Sequence, residues 1–102
     1  MSDLLEPDAD ALALTSVLQA LADDQRLTIV RELAAQGEAA CGAIDLDVSK
    51  ATRSHHFKVL RESGLTHTRV EGTHRWVSLR RDDLDSRFPG LLDALLAAQP
   101  AR

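Results

Sequence analysis

The chain has one cysteine, Cys41, no tyrosine, and three aromatic residues, Phe57, Trp76 and Phe88. A single thiol excludes an intrachain disulfide and any all-thiolate zinc site. So few aromatics leave the core to Leu, Ala, Val and Ile, and an apolar share of 44% built from these residues leans towards helix. No segment approaches the ~20 consecutive apolar residues that span a bilayer. The opening "MSDLLEPDAD" is acidic and lacks the basic start and apolar run of a signal peptide. A cytoplasmic protein with no membrane partner is therefore expected. Nor does the chain carry a nucleophile with an oxyanion-hole motif or a phosphate loop, so it does not read as an enzyme.

What is present is one domain's length, 102 residues, with an uneven charge. The net charge of −4 argues against a uniformly basic nucleic-acid binder. Between Ser49 and Arg81, however, eight basic residues stand against only Glu62 and Glu71, so the block carries +6 and the flanking segments together carry −10. A basic block between acidic ends can lay one face on a polyanion while the ends stay clear of it. A domain this small also gains from burying further surface in a dimer.

Residues 1–9 read as a flexible tail, 10–98 as the folded domain and 99–102 as a second short tail. In "DALALTSVLQALA", Leu12, Val17, Leu18 and Leu21 are close to helical spacing, with Asp10 as the N-cap. In "DDQRLTIVRELAAQG", Asp23 or Asp24 caps a second helix, Leu27, Ile29, Val30 and Leu33 form its apolar face, and Gly37 stops it. A short helix is expected over Ala43 to Leu46. Ser49 then caps a helix running to about Ser63, with Gly64 as the stop and Phe57, Leu60 and His56 on one side. "LTHTRV" and "HRWVSL", joined through Gly72, predict a two-stranded hairpin. "DDLDSRFPGLLDALLAA" closes the chain with a helical stretch broken at Pro89-Gly90. The expected fold is mainly α with a two-stranded β-hairpin, a dimeric winged helix-turn-helix.

A helix entering the major groove needs donors and acceptors on its first turns rather than bulk. Ser49, Lys50, Thr52, Arg53, Ser54 and His55 supply them, Ser49 as cap and as a phosphate ligand. A solvated helix start would look similar; the basic hairpin that follows tips the reading towards double-stranded DNA. Arg69, His74 and Arg75 cluster near the hairpin tip, where a wing meets phosphates or the neighbouring minor groove. His55 and His56 do not converge on one ion, because adjacent helical residues point ~100° apart.

Three runs, "LQALADDQRLTIVRELA", "SKATRSHHFKVLRESGL" and "RVEGTHRWVSLR", resemble the ArsR/SmtB group of small bacterial winged-helix repressors over about residues 14–96. The resemblance implies a homodimer formed by the first and last helices, an inverted-repeat operator, and release of DNA on binding an inducer. It places Leu12, Val17, Leu92, Leu95 and Leu96 at the dimer interface, where they would otherwise expose an apolar patch. It gives His56 a structural place behind the recognition surface.

The chain also departs from this family. Metal-sensing members carry a Cys-x-Cys pair near the third helix, or an Asp and histidines on the last helix, and here Cys41 stands alone and "PGLLDALLAA" has no histidine. The remaining metal candidates are Cys41, His67 and His74, as a nonstandard nickel or zinc site doubled in a dimer. Cys41 is also a candidate thiol switch, against the plainer reading of a small buried residue. Arg53 replaces an apolar residue four places before Phe57, so it either snorkels to solvent or enlarges the DNA-facing set. The competing function is a winged-helix interaction module that acts through a partner regulator with DNA contact weak or delegated.

Overall fold

The computed structural model describes residues 5–98; the expected tail over 99–102 and residues 1–4 of the other lie outside the described residues. The elements are α1 (Leu14–Leu21), α2 (Asp24–Gln36), β1 (Glu38–Ala40), α3 (Lys50–Glu62), β2 (Thr66–Glu71), β3 (His74–Leu79), α4 (Arg81–Arg87) and α5 (Leu91–Ala97). Short 3-10 turns stand at Ala9–Ala11 and Cys41–Ala43. No helix among the described residues is long and apolar enough to cross a membrane.

Local chemistry explains the boundaries of the two central helices. Asp23 caps α2, its Oδ1 accepting from the backbone N–H groups of Gln25 (2.9 Å) and Arg26 (3.0 Å). Gly37 ends α2 at a φ of 83°, a value glycine adopts without a Cβ clash. Ser49 caps α3 in the same way, accepting from Thr52 N–H at 3.1 Å. Gly64 ends α3 at φ 90° and lies against Leu12, whose Cδ2 would be 2.0 Å from any added Cβ.

Three boundaries differ from expectation. Asp10 does not cap the first helix: it sits inside the 3-10 turn, and α1 begins at Leu14 with no side-chain cap. The expected short helix over Ala43–Leu46 is instead the 3-10 turn at Cys41–Ala43, followed by an irregular stretch pinned by buried Ile44 and Leu46. The hairpin is not two-stranded alone. β1 adds a third antiparallel strand, in the order β1-β3-β2, with Ala39 opposite Val77 and Thr68 on the other side of Val77.

The core gathers Val17 and Leu21 of α1, Ile29, Val30 and Leu33 of α2, Phe57 and Leu60 of α3, and Val77 of β3. Leu84 of α4 and Leu92 of α5 close it from the C-terminal side. Leu12, Val17 and Leu92, expected at a dimer interface, are at most 3% exposed inside this one chain, so they cannot form an outward patch. Leu95 and Leu96 are half-buried. The apolar residues α1 does expose are Leu14 (46%) and Leu18 (45%), one helical turn apart. Residues 5–9 are also tied down: Glu6 accepts from Thr68 N–H at 2.9 Å, and Arg80 Nη1 donates to the Pro7 carbonyl at 2.6 Å.

Candidate nucleic-acid interface

α3 is the element around which the site is built. Its inner face, His56, Phe57, Leu60 and Arg61, is buried, while Lys50, Thr52, Ser54 and His55 stand exposed on its first two turns. The first turn holds no acidic residue, so nothing offsets the positive end of the helix dipole. Ser49 is committed locally, accepting from Thr52 N–H and donating its hydroxyl to Thr52 Oγ1 at 3.0 Å.

Arg26, a residue the sequence reading passed over, sets the position of α3. Its guanidinium donates to the carbonyls of Ala20 (2.5 Å) and Gln19 (3.3 Å) at the end of α1, and to His56 Nδ1 at 3.2 Å. Accepting that bond obliges Nδ1 to offer its lone pair, which leaves Nε2 to carry the ring hydrogen. Nε2 lies 4.0 Å from Asp23 Oδ1, too far for a hydrogen bond. Hydrogen bonding to the Arg26 backbone N–H holds the Asp23 carboxyl below its usual pKa, against the effect of burial, with the charge of Arg26 adding to the lowering. One cap, one arginine and one histidine thus join α1, α2 and α3 at a single corner.

The structure divides the remaining basic residues into free and engaged. Arg53 does not reach outward: its Nη1 donates to the carbonyls of Ile44 (2.6 Å) and Cys41 (3.1 Å), fastening the 3-10 turn to α3. Arg69 lies over the Trp76 ring at 5.9 Å and pairs with Glu38 (3.0 Å) and Glu71 (3.1 Å). The Glu38 hydrogen bond is the main cause of its raised pKa. Arg75 is exposed and pairs with no carboxylate among the described residues. It shares a hollow with Arg53 and Ser54, so the hairpin and α3 meet there. His74 is exposed and tilts against Trp76 at 6.4 Å between ring centroids.

The metal candidates do not assemble within one chain. Among the described residues no three His, Cys, Asp or Glu side chains converge. His67 turns to Glu6, Nδ1 to Oε1 at 2.7 Å, whereas Cys41 and His74 border a shallow hollow elsewhere. Burial pushes the Cys41 thiol up in pKa, against the lowering pull of Arg75, Arg61 and Arg53. That shift disfavours the ionised form through which a thiol switch reacts.

A helical core, a capped helix with exposed donors, and an antiparallel hairpin beside it define the winged helix-turn-helix class. No family model matches the chain. It is 43% identical over 82 residues to the uncharacterized HTH-type transcriptional regulator YceK of Bacillus subtilis (strain 168), covering 78% of this chain and 82% of that protein. It is 34% identical over 79 residues to the arsenical resistance operon repressor of Staphylococcus aureus, covering 76% of each. The fold matches the crystal structure of an ArsR family transcriptional regulator with a TM-score of 0.68 at 23% identity, over 79% of this chain and 90% of that one. The chain belongs to the ArsR/SmtB family of transcriptional regulators. Its relatives are regulators of transcription and not enzymes.

Proposed function

We propose that the protein is a homodimeric repressor that binds an inverted-repeat DNA operator and responds to a signal. In this reading Lys50, Thr52, Ser54 and His55 meet base edges and phosphates in the major groove, and Arg75 and His74 serve the wing. Arg53 and Arg69 act behind that surface, the first by fastening the turn before α3 and the second by bracing the sheet. The observation that carries the reading is the exposed, acid-free start of α3 beside an unpaired Arg75.

The two-fold partner packs against the exposed Leu14 and Leu18 of α1 and the half-buried Leu95 and Leu96 of α5, which offer apolar surface that the protomer leaves uncovered. Two α3 helices related by that axis call for half-sites about one helical turn of DNA apart, ~34 Å. The test is Lys50→Ala combined with Arg75→Ala, both exposed, measured on the DNA upstream of the protein's own gene. Weaker binding with an unchanged melting temperature is expected. Unchanged affinity overturns the assignment of these faces.

A further inference from the structure

Arg61 is in an unusual position for an arginine. It is 9% exposed, its Nε is sealed from solvent without a hydrogen-bond partner, and no carboxylate pairs with it among the described residues. A buried charge normally has a counter-charge, because desolvation without one costs several kcal/mol. The side chain borders a hollow of about 150 Å³, roughly ten times the ~10–15 Å³ that admits one water.

Two more guanidiniums line the same hollow, Arg53 from α3 and Arg75 from β3, and no carboxylate does. Ser54, Thr68 and Cys41 complete its polar wall, and Phe57 is its apolar side. Two hollows at Arg80 are different: Glu6, Asp8 and Asp83 face Arg80 in one, and Asp82 and Asp83 face Arg80 and Arg81 in the other. The Arg61 hollow brings three guanidiniums together with no carboxylate in its lining, whereas the shallower hollow at Cys41 and His74 holds Arg75 alone. Four structural elements, the 3-10 turn, α3, β2 and β3, converge on the Arg61 hollow.

We propose that this hollow binds a small tetrahedral oxyanion of the phosphate or sulfate class, and that its occupancy modulates the grip on DNA. The second half of this statement rests on the DNA-binding function proposed above. Guanidinium forks match oxyanion geometry with paired N–H donors, and the hydroxyls of Ser54 and Thr68 can donate to further oxygens. An anion seated there would link Arg61 and Arg53 of α3 to Arg75 of the hairpin. The angle between the recognition helix and its wing then depends on occupancy, a differential interaction of the kind allosteric control requires.

The deciding experiment is calorimetry of the DNA-free full chain with sodium phosphate and, separately, sodium sulfate, in chloride buffer at matched ionic strength. Saturable binding of one anion per chain is expected, together with a rise in melting temperature. Arg61→Gln should weaken it about tenfold or more while the chain stays folded by circular dichroism, and Arg75→Ala, at an exposed position, should weaken it severalfold. Arg81→Gln, outside the hollow, should leave it unchanged. Absence of saturable binding, or equal binding in folded Arg61→Gln protein, overturns the site.

A second arm separates a free anion from the phosphates of DNA itself. Anisotropy on the upstream duplex should shift in affinity when phosphate is added to wild-type protein at constant ionic strength, and should not shift in Arg61→Gln. If the duplex expels the anion one for one and Arg61→Gln loses DNA affinity, the hollow receives a backbone phosphate and the effector role is overturned. Because the calorimetry contains no DNA, a protein that failed to bind DNA would still report on the anion site.

Discussion

Arg26→Met removes the guanidinium that joins α1 to α3 while keeping an unbranched side chain of similar reach. The substitution deletes hydrogen bonds to the Ala20 and Gln19 carbonyls and to His56 Nδ1. The carbonyl of Gln19 lies at an exposed contact and recovers most of its loss from water. His56 does not: it is 6% exposed, and a buried acceptor stripped of its donor costs about 1–3 kcal/mol. The part-buried bond to Ala20 adds about 1 kcal/mol, so the whole change is about 2–4 kcal/mol, a large share of the ~5–15 kcal/mol that stabilises a typical domain. Urea unfolding followed by circular dichroism measures it, with an unchanged m-value showing that the unfolding transition is otherwise the same. Arg26→Lys should recover only part of the loss, since an ammonium cannot fork between α1 and α3. A double-mutant cycle of Arg26→Met with His56→Phe should give a coupling of about 1 kcal/mol or more. Destabilisation below about 0.5 kcal/mol, within the range of ordinary surface changes, would refute the view that this corner positions the recognition helix.

Other positions give equally direct outcomes. Asp23→Ala should cost about 1 kcal/mol of stability through loss of the α2 cap. Because the folded-state pKa of Asp23 is depressed, its contribution is fully present above the unfolded value near 3.8 and disappears as pH falls through the lower folded value; the gap between wild-type and Asp23→Ala stability, followed by urea titration, should therefore close in acid and stay constant above about pH 5. Gly64→Ala should destabilise by about 1–3 kcal/mol, since φ 90° disfavours a side chain and the new Cβ would collide with buried Leu12; a thermal melt matching wild type would contradict the packing of Leu12 there. Leu14→Ser with Leu18→Ser should leave the protomer folded and shift the proposed dimer towards monomer in sedimentation, while an unaltered dimer would move the interface elsewhere. Cys41 should react with a thiol reagent roughly tenfold or more slowly in the folded than in the urea-unfolded protein, and equal rates would show an accessible thiolate.

The sequence showed much of this where a boundary has its own chemistry. Asp23, Gly37, Ser49 and Gly64 mark the ends of α2 and α3 because caps and left-handed stops depend on the residue itself, whatever packs around it. β1 could not be read in this way: Glu-Ala-Ala is a poor strand former, and it is a strand only because β3 offers it an edge. The leucine pattern had a similar limit. Helical spacing shows that Leu12, Val17 and Leu92 are covered, but not whether their own protomer or a second copy covers them, and the protomer's core does.

The candidate interface was legible in its residue types and less so in their engagement. Lys50, Thr52, Ser54 and His55 are exposed on α3 as a recognition helix requires. Arg53 and Arg69 have the same charge, but Arg53 is held by carbonyls 9 and 12 residues away and Arg69 by Glu38, 31 residues away, as well as by nearby Glu71, and no local pattern announces the distant partners. Arg26 and Arg61 were missed for the same reason. Each looks like an ordinary surface cation of an amphipathic helix until the fold buries it or gives it an acceptor.

The most direct measurement is fluorescence anisotropy of the purified protein on its own upstream duplex across a salt series, with a scrambled duplex of equal length as control. If α3 and the wing grip DNA, the inverted repeat should be preferred, and log affinity should fall linearly with log salt by about 0.9 for each phosphate contacted. Six to ten such contacts would lower affinity by about 10³–10⁵ between ~50 and ~200 mM salt. Binding that ignored salt, or that did not distinguish the two duplexes, would contradict a sequence-specific regulator.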